Sequence, residues 1–406
     1  MGQVGVNNGS TPLGALIAAE RQRRGWTRSN LAERVRRAAL RDGVDLETSG
    51  ETIKGWELRG HRPQAPALRA LSVVLERPVE ELTALAGQQP AETKLGGLEL
   101  LPPVAPADAD YIDAVRASIG HLVGLEVQHG GDAVASLAIR YFESVRRRLA
   151  AGGHPRHLDR DLTATAGELA EVAAWLAHDA DDQAGARKLN MEALYLSRLA
   201  GDRSIELLTM SNMAFMALFQ RHAGEALILA RALRDDHLTN RLRVIFELRE
   251  ARALAQLGAG AEGIRIAEQA QSAFWDGATS DDPGWAWWID APEITGHLAG
   301  IYHEAGHTQQ AISLLQSGVE TCPPQQLNNQ FFRLARLLSA TVEAGAWSDA
   351  EGVINRTLPH LGDVRSGRAV RVLREAIAGI GPDAQPRLVE AGHHLDTVLT
   401  AVGYLD

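Results

Sequence analysis

Residues 303–307 place two histidines and a glutamate at a spacing that suits metal-dependent hydrolysis. The segment reads HEAGH, so that His303 and His307 stand four positions apart, with Glu304 directly after the first. On one continuous helix this spacing puts both imidazole rings on the same face, where they can bind zinc, and the glutamate can activate a metal-bound water. A zinc hydrolase is therefore the first hypothesis that the sequence raises.

A second segment of the chain contradicts this hypothesis, because it repeats the pattern without the histidines. When HEAGHTQQAI is aligned with VEAGAWSDAE, residues 304–306 fall on residues 343–345, 39 positions later. The histidines then correspond to Val342 and Ala346, which bind no metal, and the downstream histidines have no recognisable spacing for a third ligand. In this alignment Gly306 ends a helix in the left-handed conformation, as glycine commonly does. We therefore predict a turn and no metal site.

The two aligned segments belong to a repeat. Five stretches between residues 168 and 358 each read as an amphipathic helix, a short polar turn and a second amphipathic helix. Their separations of 40, 37, 48 and 39 residues are looser than the ~34 residues of a tetratricopeptide unit. Because one such hairpin cannot bury its apolar face alone, we predict a right-handed superhelix of stacked hairpins with a concave surface. A small residue near the start of each second helix anchors the alignment: Ala186, Ala226, Gly263, Ala311 and Ala350.

The composition fits a helical, compact protein. Of the 406 residues, 45% are apolar, 23% are charged and only 5% are aromatic, while Ala, Leu, Arg and Glu are abundant. Cys322 is the only cysteine, so neither an internal disulfide nor a cysteine-based zinc finger can form. We recognise no signal peptide and no uninterrupted run of about 18 apolar residues. The sequence therefore predicts an all-α, cytoplasmic protein.

Charge and turn residues divide the chain. Residues 1–87 hold 13 Lys and Arg against 10 Asp and Glu, a balance of +3, whereas the remainder holds 28 against 41, a balance of −13. A stretch rich in proline and glycine, residues 88–110, separates the two parts and reads as a linker. We predict a basic head over 1–87 and an acidic repeat body over 111–406, so that a polyanion would bind the head.

The head contains the pattern of four short helices. The segment PLGALIAAERQRRGWTRSNLAERV reads as two helices separated at Gly25-Trp26, with Thr27 as the N-cap of the second. After a longer gap, Ser49 can cap a short third helix, and prolines precede a fourth. The spacing of apolar residues predicts the core of this domain: Leu13, Leu16, Ile17, Leu31, Val35, Ile53, Trp56, Leu68, Leu71, Val74 and Leu75.

At these residues the head resembles the lambda-repressor-like (XRE-type) helix-turn-helix domain. The resemblance rests on RQRRGWTRSNLAERV, SGETIKGWELRGHRP and LRALSVVLERPVEEL, and its most specific piece is W-E-x-R-G-x-R-P with an isoleucine three residues earlier. It covers residues 13–85 and implies that the second helix rests on the DNA backbone while the third enters the major groove. In relatives a charge pair joins the first and third helices, and Arg21 and Glu57 stand at the matching positions.

The resemblance implies a set of DNA contacts. Gly50, Glu51, Thr52 and Gly55 occupy the base-facing positions of the third helix, with Lys54 beside them. Glu51 can accept a hydrogen bond from a cytosine amino group, and Thr52 can touch a thymine methyl group. Because the glycines offer little side chain, we expect DNA shape to contribute to specificity. The implied phosphate contacts, which position the protein without reading sequence, are Arg28, Arg59 and Arg62.

One segment departs from the family pattern. Val35 and Ile53 are separated by 18 positions, more than relatives usually have. Arg36, Arg37 and Arg41 would extend the second helix here, either close to DNA or facing solvent. The longer segment bears on the docking angle of the third helix.

The body resembles the tetratricopeptide-like C-terminal region of many actinobacterial XRE-type regulators, through ELAEVAAWLAHDADDQAGARKLNMEAL and GHLAGIYHEAGHTQQAISLL. Related architectures, notably receptors for signalling peptides, bind a ligand on the concave face and dimerise. The resemblance implies a homodimer, a palindromic operator and a peptide or small-molecule ligand. The groove contacts that we predict are Asn212, Asn328, Asn329 and Arg333, with Trp285 and Trp288 of GWAWWID, which can instead pack between repeats.

These observations favour a sequence-specific DNA-binding transcriptional regulator whose body dimerises and senses a signal. We find no glycine-rich phosphate loop, nucleophile elbow or paired-carboxylate motif, and so predict neither enzymatic activity nor a cofactor. The alternative is a tetratricopeptide-type protein-interaction scaffold in which DNA binding is secondary.

Overall fold

The computed structural model shows a chain built of α-helices. It describes residues 12–41, 44–58, 61, 63–75, 77–79, 82, 107–232, 238–275, 281–381 and 383–404. These ranges contain 18 α-helices, four short 3-10 segments and no strand, which confirms the predicted all-α class. The helices are α1 (Pro12–Arg23), α2 (Arg28–Arg41), α3 (Gly50–Leu58), α4 (Ala65–Leu75), α5 (Ala109–His129), α6 (Ala135–Ala151), α7 (Asp159–Asp179), α8 (Gln183–Ala200), α9 (Arg203–Phe219), α10 (Ala223–Arg231), α11 (Asn240–Gln256), α12 (Gly260–Trp275), α13 (Ala291–Glu304), α14 (Thr308–Glu320), α15 (Leu327–Glu343), α16 (Trp347–Thr357), α17 (Gly367–Ala378) and α18 (Pro386–Ala401).

Contacts between Cα atoms divide the chain into two compact units. The first combines Met1–Gly97 with His393–Asp406, and the second comprises Leu98–Gly392. Helices α1–α4 therefore belong to the first unit and α5–α17 to the second, while α18 contributes residues to both. The predicted linker, residues 88–110, lies outside the described residues as far as residue 106.

The four helices of the first unit bury one apolar core. Helix α1 packs on α3, and α2 packs on both α3 and α4. All the predicted core residues are buried except Val74, which is half-buried against the others. Gly14 allows α1 to approach α3 closely, because a Cβ at this position would lie 2.2 Å from the carbonyl oxygen of Trp56. Gly25, with φ +65°, separates α1 from α2 as predicted.

Five helical hairpins form most of the second unit, as the repeat predicts. They pair α7 with α8, α9 with α10, α11 with α12, α13 with α14 and α15 with α16, and the first helices pack side by side from α7 to α13. Each predicted anchor is the fourth residue of its second helix and is buried. At Gly263, a Cβ would lie 2.5 Å from the carbonyl oxygen of Ala251 on α11. Small residues at this position therefore let the two helices of a hairpin approach each other.

All five hairpins turn through the same backbone conformation. The residue after the positive-φ position donates its N–H to the carbonyl oxygen five positions earlier, at 2.8–2.9 Å in every turn. This bond is the Schellman arrangement that satisfies carbonyl groups at a helix C-terminus. Two of the turns adopt it without glycine, at a strain of about 1 kcal/mol or more each. The residues with positive φ are Asp181, Arg221, Gly258, Gly306 and Gly345.

The HEAGH segment is one of these turns. His303 and Glu304 lie in the last turn of α13, Gly306 has φ +83°, and His307 is the N-cap residue of α14. The two histidines therefore lie on opposite sides of a turn and not on one helix face. His303 Nε2 lies 2.7 Å from a carboxylate oxygen of Glu343. The prediction of a turn is confirmed.

Candidate nucleic-acid interface and candidate ligand region

Two reciprocal side-chain caps determine where α2 and α3 begin. At α2, the Thr27 hydroxyl accepts the backbone N–H of Asn30, and the Asn30 side chain accepts that of Thr27, both at 3.1 Å. At α3, Ser49 and Thr52 exchange the same bonds at 3.2 Å. Such capping boxes satisfy N–H groups that the start of a helix leaves without partners. Thr27 and Ser49 are therefore confirmed as N-caps.

A buried carboxylate joins α3 to the two preceding helices. The Glu57 side chain has no exposed surface, and it accepts hydrogen bonds from Arg21 Nε and Arg28 Nε, both at 2.6 Å. Arg21 also donates to the carbonyl oxygen of Trp26 in the turn between α1 and α2, at 2.9 Å. The Arg21–Glu57 pair is therefore confirmed, and the same carboxylate also binds the start of α2.

The outer face of α3 is open to solvent. Glu51 and Lys54 are 62% and 40% exposed at their side chains, and their charged ends lie 3.9 Å apart. A pair this long and this exposed contributes little to stability, so both side chains can turn towards a partner. On the neighbouring helix α2, the side chains of Ser29, Arg36 and Arg37 are exposed.

The two glycines of the predicted base-facing set lie in different surroundings. Gly50 is half-buried against the first turn of α2, where a Cβ would come within 3.0 Å of Ser29 Oγ. Gly55 is buried beneath His61, whose Nδ1 would lie 2.7 Å from a Cβ. Gly55 therefore lies against the His61 ring, whose close approach explains why glycine stands here, and a contact of Gly55 with DNA stays a prediction.

The other predicted contacts of the head are placed as follows. Thr52 is half-buried, and its hydroxyl lies 3.1 Å from that of Ser49 within the α3 cap. Arg28 is bound to Glu57 and keeps 37% of its side chain exposed. Arg59 and Arg62 lie outside the described residues. The structure therefore places Glu51, Thr52 and Lys54 in the first half of α3 and Arg28 at the start of α2, and their contacts with DNA stay predictions.

Three of the predicted ligand contacts of the body are engaged inside the protein or with near neighbours. Buried Asn212 donates to a carboxylate oxygen of Glu171 at 2.6 Å. Buried Arg333 donates to the carbonyl oxygen of Gly318 at 2.9 Å. Asn329, half-buried, donates to the side chain of Gln326 at 3.0 Å. Each polar group therefore has a partner within the chain.

The tryptophans take the packing role that the sequence left open as an alternative. Trp285 and Trp288 stack with ring centroids 6.3 Å apart, and both pack against the apolar core that α11, α13 and their neighbours form. The Trp285 indole N–H donates to Ser204 Oγ at 2.9 Å. The role of these tryptophans and of Asn212 in binding a ligand stays a prediction.

Asn328 belongs to a buried polar cluster centred on Asp179, which sequence reasoning missed. The fully buried Asp179 carboxylate accepts hydrogen bonds from the Gly131 N–H at 2.7 Å, Ser366 Oγ at 2.9 Å and Arg368 Nη2 at 2.8 Å. Asn328 Nδ2 adds a fourth bond at 3.1 Å. The donor residues are far apart along the chain, from Gly131 to Arg368. Because the contacts are not local, no short sequence pattern predicts them.

A second carboxylate lies beside this cluster. Glu126 is buried and accepts hydrogen bonds from Asn328 Nδ2 at 2.9 Å and Trp175 Nε1 at 3.1 Å. Burial, and then the neighbouring charge of Asp179, raise the pKa of Glu126. Arg368 offsets part of this negative charge, and its guanidinium also stacks 4.0 Å from the Phe332 ring. The interior of the second unit is thus polar as well as apolar.

A further buried group, also missed, runs from α11 to α13. Arg249 Nη1 lies 2.7 Å from His297 Nε2, which is 3.0 Å from a carboxylate oxygen of Glu293. Burial and the charge of Arg249 lower the pKa of His297 to about 4, so the ring is neutral at pH 7. Burial alone would raise the pKa of Glu293, but the His297 hydrogen bond and the nearby arginines lower it to about 2. Arg249 itself has its pKa lowered by burial to about 9.

The described part of the chain lacks two other kinds of feature. There, no group of three or more His, Cys, Asp or Glu side chains is placed to hold a metal ion. Among these same residues, no helix has the length and apolar character needed to cross a membrane. The thiol of Cys322 is buried, which raises its pKa, and it lies 3.8 Å from the Gln326 carbonyl oxygen.

Known proteins resemble the head and the whole chain. Residues 17–86 match the family model described as the SP15 N-terminal domain, which concerns the head alone. Among solved structures, the chain is similar to Bacillus thuringiensis PlcR in complex with the peptide PapR7 and DNA, at 10% identity over 96% of this chain and 99% of that chain. The TM-score of 0.27 is too low for this likeness to support a function. No curated protein matches the chain.

Proposed function

We propose that the protein is a DNA-binding transcriptional regulator and not an enzyme, with α2 and α3 as its contact to duplex DNA. One observation carries this proposal: α3 is held from its inner side by buried Ile53, Trp56 and Glu57, while Glu51 and Lys54 on its outer side stay exposed. The major groove of DNA is wide enough to admit an α-helix presented in this way.

Charge supports the same assignment. The head carries +3 and the rest of the chain −13, so a polyanion is attracted to the head and repelled by the body. Gly50 lies next to Ser29, and this neighbourhood brings the starts of α2 and α3 together. Helix starts carry partial positive charge that favours phosphate groups. Arg28 would then contact phosphate, and Glu51 and Lys54 would reach base edges.

Binding of DNA by the purified full chain tests the proposal. Fragments from upstream of its own gene, and fragments selected from a random pool, would be titrated at several salt concentrations. Lys54→Ala is expected to weaken specific binding by about 1–3 kcal/mol, as for loss of a base contact. Arg69→Ala is the matched control, because Arg69 is exposed on α4 and its loss removes the same charge. Absence of specific binding by the wild type, or equal losses in both variants, would refute the assignment.

We also infer that the repeat body makes the protein a homodimer that responds to a peptide or small molecule. Met191, Tyr195 and Leu199 recur every fourth position on α8, and each is more than half exposed. Ile228, on the next second helix α10, is 73% exposed. Exposed apolar side chains grouped in this way are typical of protein interfaces. A two-fold dimer would offer two heads to a palindromic operator, and a ligand would act by changing their separation.

Light scattering on the full chain tests the dimer. The wild type is expected to be dimeric, and Tyr195→Asp is expected to make it monomeric and to weaken binding to a palindrome more than to a half-site. Leu257→Asp, which places the same charge at an exposed leucine just after α11, is the matched control. A monomeric wild type that co-purifies with another protein in stoichiometric amount would favour the interaction scaffold instead.

A further inference from the structure

Two arginines from different hairpins converge over α13. Arg336, on α15, donates from Nη1 to the carbonyl oxygen of Gly296 at 3.1 Å. A Cβ at Gly300 would lie 2.9 Å from Arg336 Nη2 and 3.2 Å from Nε of Arg252, which belongs to α11. Both guanidinium groups therefore approach the same turn of α13, on the side where Gly296 and Gly300 carry no side chain.

The carboxylates nearest to this pair already have other partners. The Glu304 carboxylate accepts two hydrogen bonds at Oε1, from Arg221 Nη1 at 2.6 Å and from Gln256 Nε2 at 3.0 Å. It also forms an ion pair with Arg252, whose Nη2 lies 3.7 Å from Oε1, beyond hydrogen-bond distance. The other nearby carboxylate, that of Glu293, lies 3.0 Å from His297 Nε2, the nitrogen that also faces Arg249 Nη1.

Positive charge therefore exceeds negative charge around the pair. Among the described residues, Arg336 makes its one hydrogen bond to the Gly296 carbonyl and has no carboxylate within 4.0 Å. Arg252 Nε is buried without a hydrogen-bond partner in the same part of the chain. Burial and the neighbouring Arg252 lower the pKa of Arg336 to about 9, and burial also lowers the pKa of Arg252. A neighbouring negative charge would offset this cost of burying the two cations.

We propose that Arg252 and Arg336 bind the oxyanion of a small ligand, a carboxylate or phosphate group, over the Gly296–Gly300 turn of α13. Guanidinium groups bind such oxyanions through paired N–H donors. The Arg252 side chain is 15% exposed and Arg336 is half-buried, so part of each side chain faces solvent. The ligand would join α11 to α15. This inference rests on the proposed sensing function of the body and specifies the chemistry of its ligand.

Titration of the full chain with sodium phosphate and sodium acetate, in phosphate-free buffer at constant ionic strength, tests the site. The thermal unfolding midpoint and the calorimetric Kd are expected to respond to at least one of the two anions and not to chloride. A response to acetate alone identifies a carboxylate ligand, and a response to phosphate alone identifies a phosphate ligand. Arg336→Gln is expected to raise Kd by roughly tenfold or more. Arg265→Gln, at an exposed arginine of α12, is the matched control with unchanged Kd.

The stability of the variant without added anion separates ligand binding from a structural role. Arg336→Gln removes a charge that lacks a carboxylate partner, so the unfolding midpoint is expected to stay unchanged or to rise. A lower midpoint would overturn the proposal, as would equal anion responses in wild type and variant, or no response in the wild type. If Arg336→Gln fails to fold, Arg252→Gln is tested in the same way. Because DNA binding is measured separately and without these anions, failure of this site and failure of the regulator assignment are distinguishable.

Discussion

Replacing Glu57 with glutamine tests how the DNA-contacting helix is held. The carboxylate is fully buried and accepts from Arg21 Nε and Arg28 Nε at 2.6 Å. Glutamine keeps the shape and one acceptor oxygen, but it removes the negative charge and turns an NH2 group towards one arginine. Breaking a buried ion pair costs roughly 3–5 kcal/mol, and a hydrogen bond to a charged group contributes about 1.5–3 kcal/mol. Because Arg28 is partly exposed and can regain water, we expect a loss of about 2–3 kcal/mol in the free energy of unfolding of the head.

Hydrogen exchange followed by mass spectrometry on the full chain measures this loss by region. A change of about 2–3 kcal/mol corresponds to exchange that is roughly 30- to 150-fold faster for amides of α1 and α3 that open with the head. Amides of α11, in the second unit, are expected to keep their rates. Glu51→Gln is the control, since it makes the same substitution at an exposed position of the same helix. Exchange in α1 and α3 that changes less than about threefold, or equally in both variants, would show that Glu57 does not hold α3.

Three further predictions concern the second unit, and urea and thermal unfolding measure all of them. Asp179→Ala leaves Arg368 buried without its carboxylate partner. It is expected to lower the free energy of unfolding by about 3–5 kcal/mol. A loss below about 1 kcal/mol would show that Asp179 does not hold this cluster together. Burial raises the pKa of Glu171 from 4.5 to about 7. Between these two pH values the Glu171 carboxyl group is protonated in the folded state and ionised in the unfolded state. The stability that this group provides is present below pH 4.5 and is lost as the pH rises through 7. Glu171→Gln is therefore expected to exceed the wild type in stability at about pH 8 and to match it at about pH 4; parallel pH curves would refute this. Gly263→Ala is expected to destabilise by about 1–3 kcal/mol, because its Cβ would meet a backbone oxygen at 2.5 Å. By contrast, a Cβ at Gly352 meets no atom within 4 Å, so Gly352→Ala is expected to stabilise the protein by about 0.5–1 kcal/mol. Equal effects of the two substitutions would contradict the close packing of the hairpin at Gly263.

The repeat could be predicted because each hairpin is specified by local features. A small fourth residue in the second helix, such as Ala311, is required wherever two helices approach closely, and it recurs in every hairpin. Glycine also marks three of the five turns, including the one at Gly306. Asp181 and Arg221 adopt the same left-handed conformation without glycine, so the turn rule alone would have missed two hairpins.

The core residues and N-caps of the head could be predicted, but the surroundings of the outer side of α3 could be predicted less well. Thr27, Ser49 and the Arg21–Glu57 pair follow from local rules or from the family pattern. The contact between Gly55 and His61 could not be predicted, because it depends on where the chain places His61 beyond the end of α3. Gly55 lies one helical turn after Glu51, on the same side of α3, and is nevertheless buried.

The body interior could not be predicted because polar residues on a helix carry the same sequence signal whether they face a groove or a buried partner. Asn328 and Arg333 read as groove residues, yet both are buried and bonded within the chain. The partners of Asp179 lie up to 189 positions away along the chain. Only the folded arrangement shows that these side chains meet.

The two buried charged regions of the second unit differ in one respect that bears on signalling. At Asp179 the negative charge and its donors are matched, so that ligand binding there would have to break existing bonds with Arg368 and Asn328. At Arg252 and Arg336 the positive charge is only partly matched, by the 3.7 Å ion pair between Arg252 and Glu304, and an anion would add bonds to Arg252 Nε and to the Arg336 guanidinium group. A ligand shifts an equilibrium only by its differential interaction with two states. The arginine pair, which spans α11 to α15, is therefore the place where a small anion can change the packing of the hairpins while the Asp179 cluster keeps its arrangement.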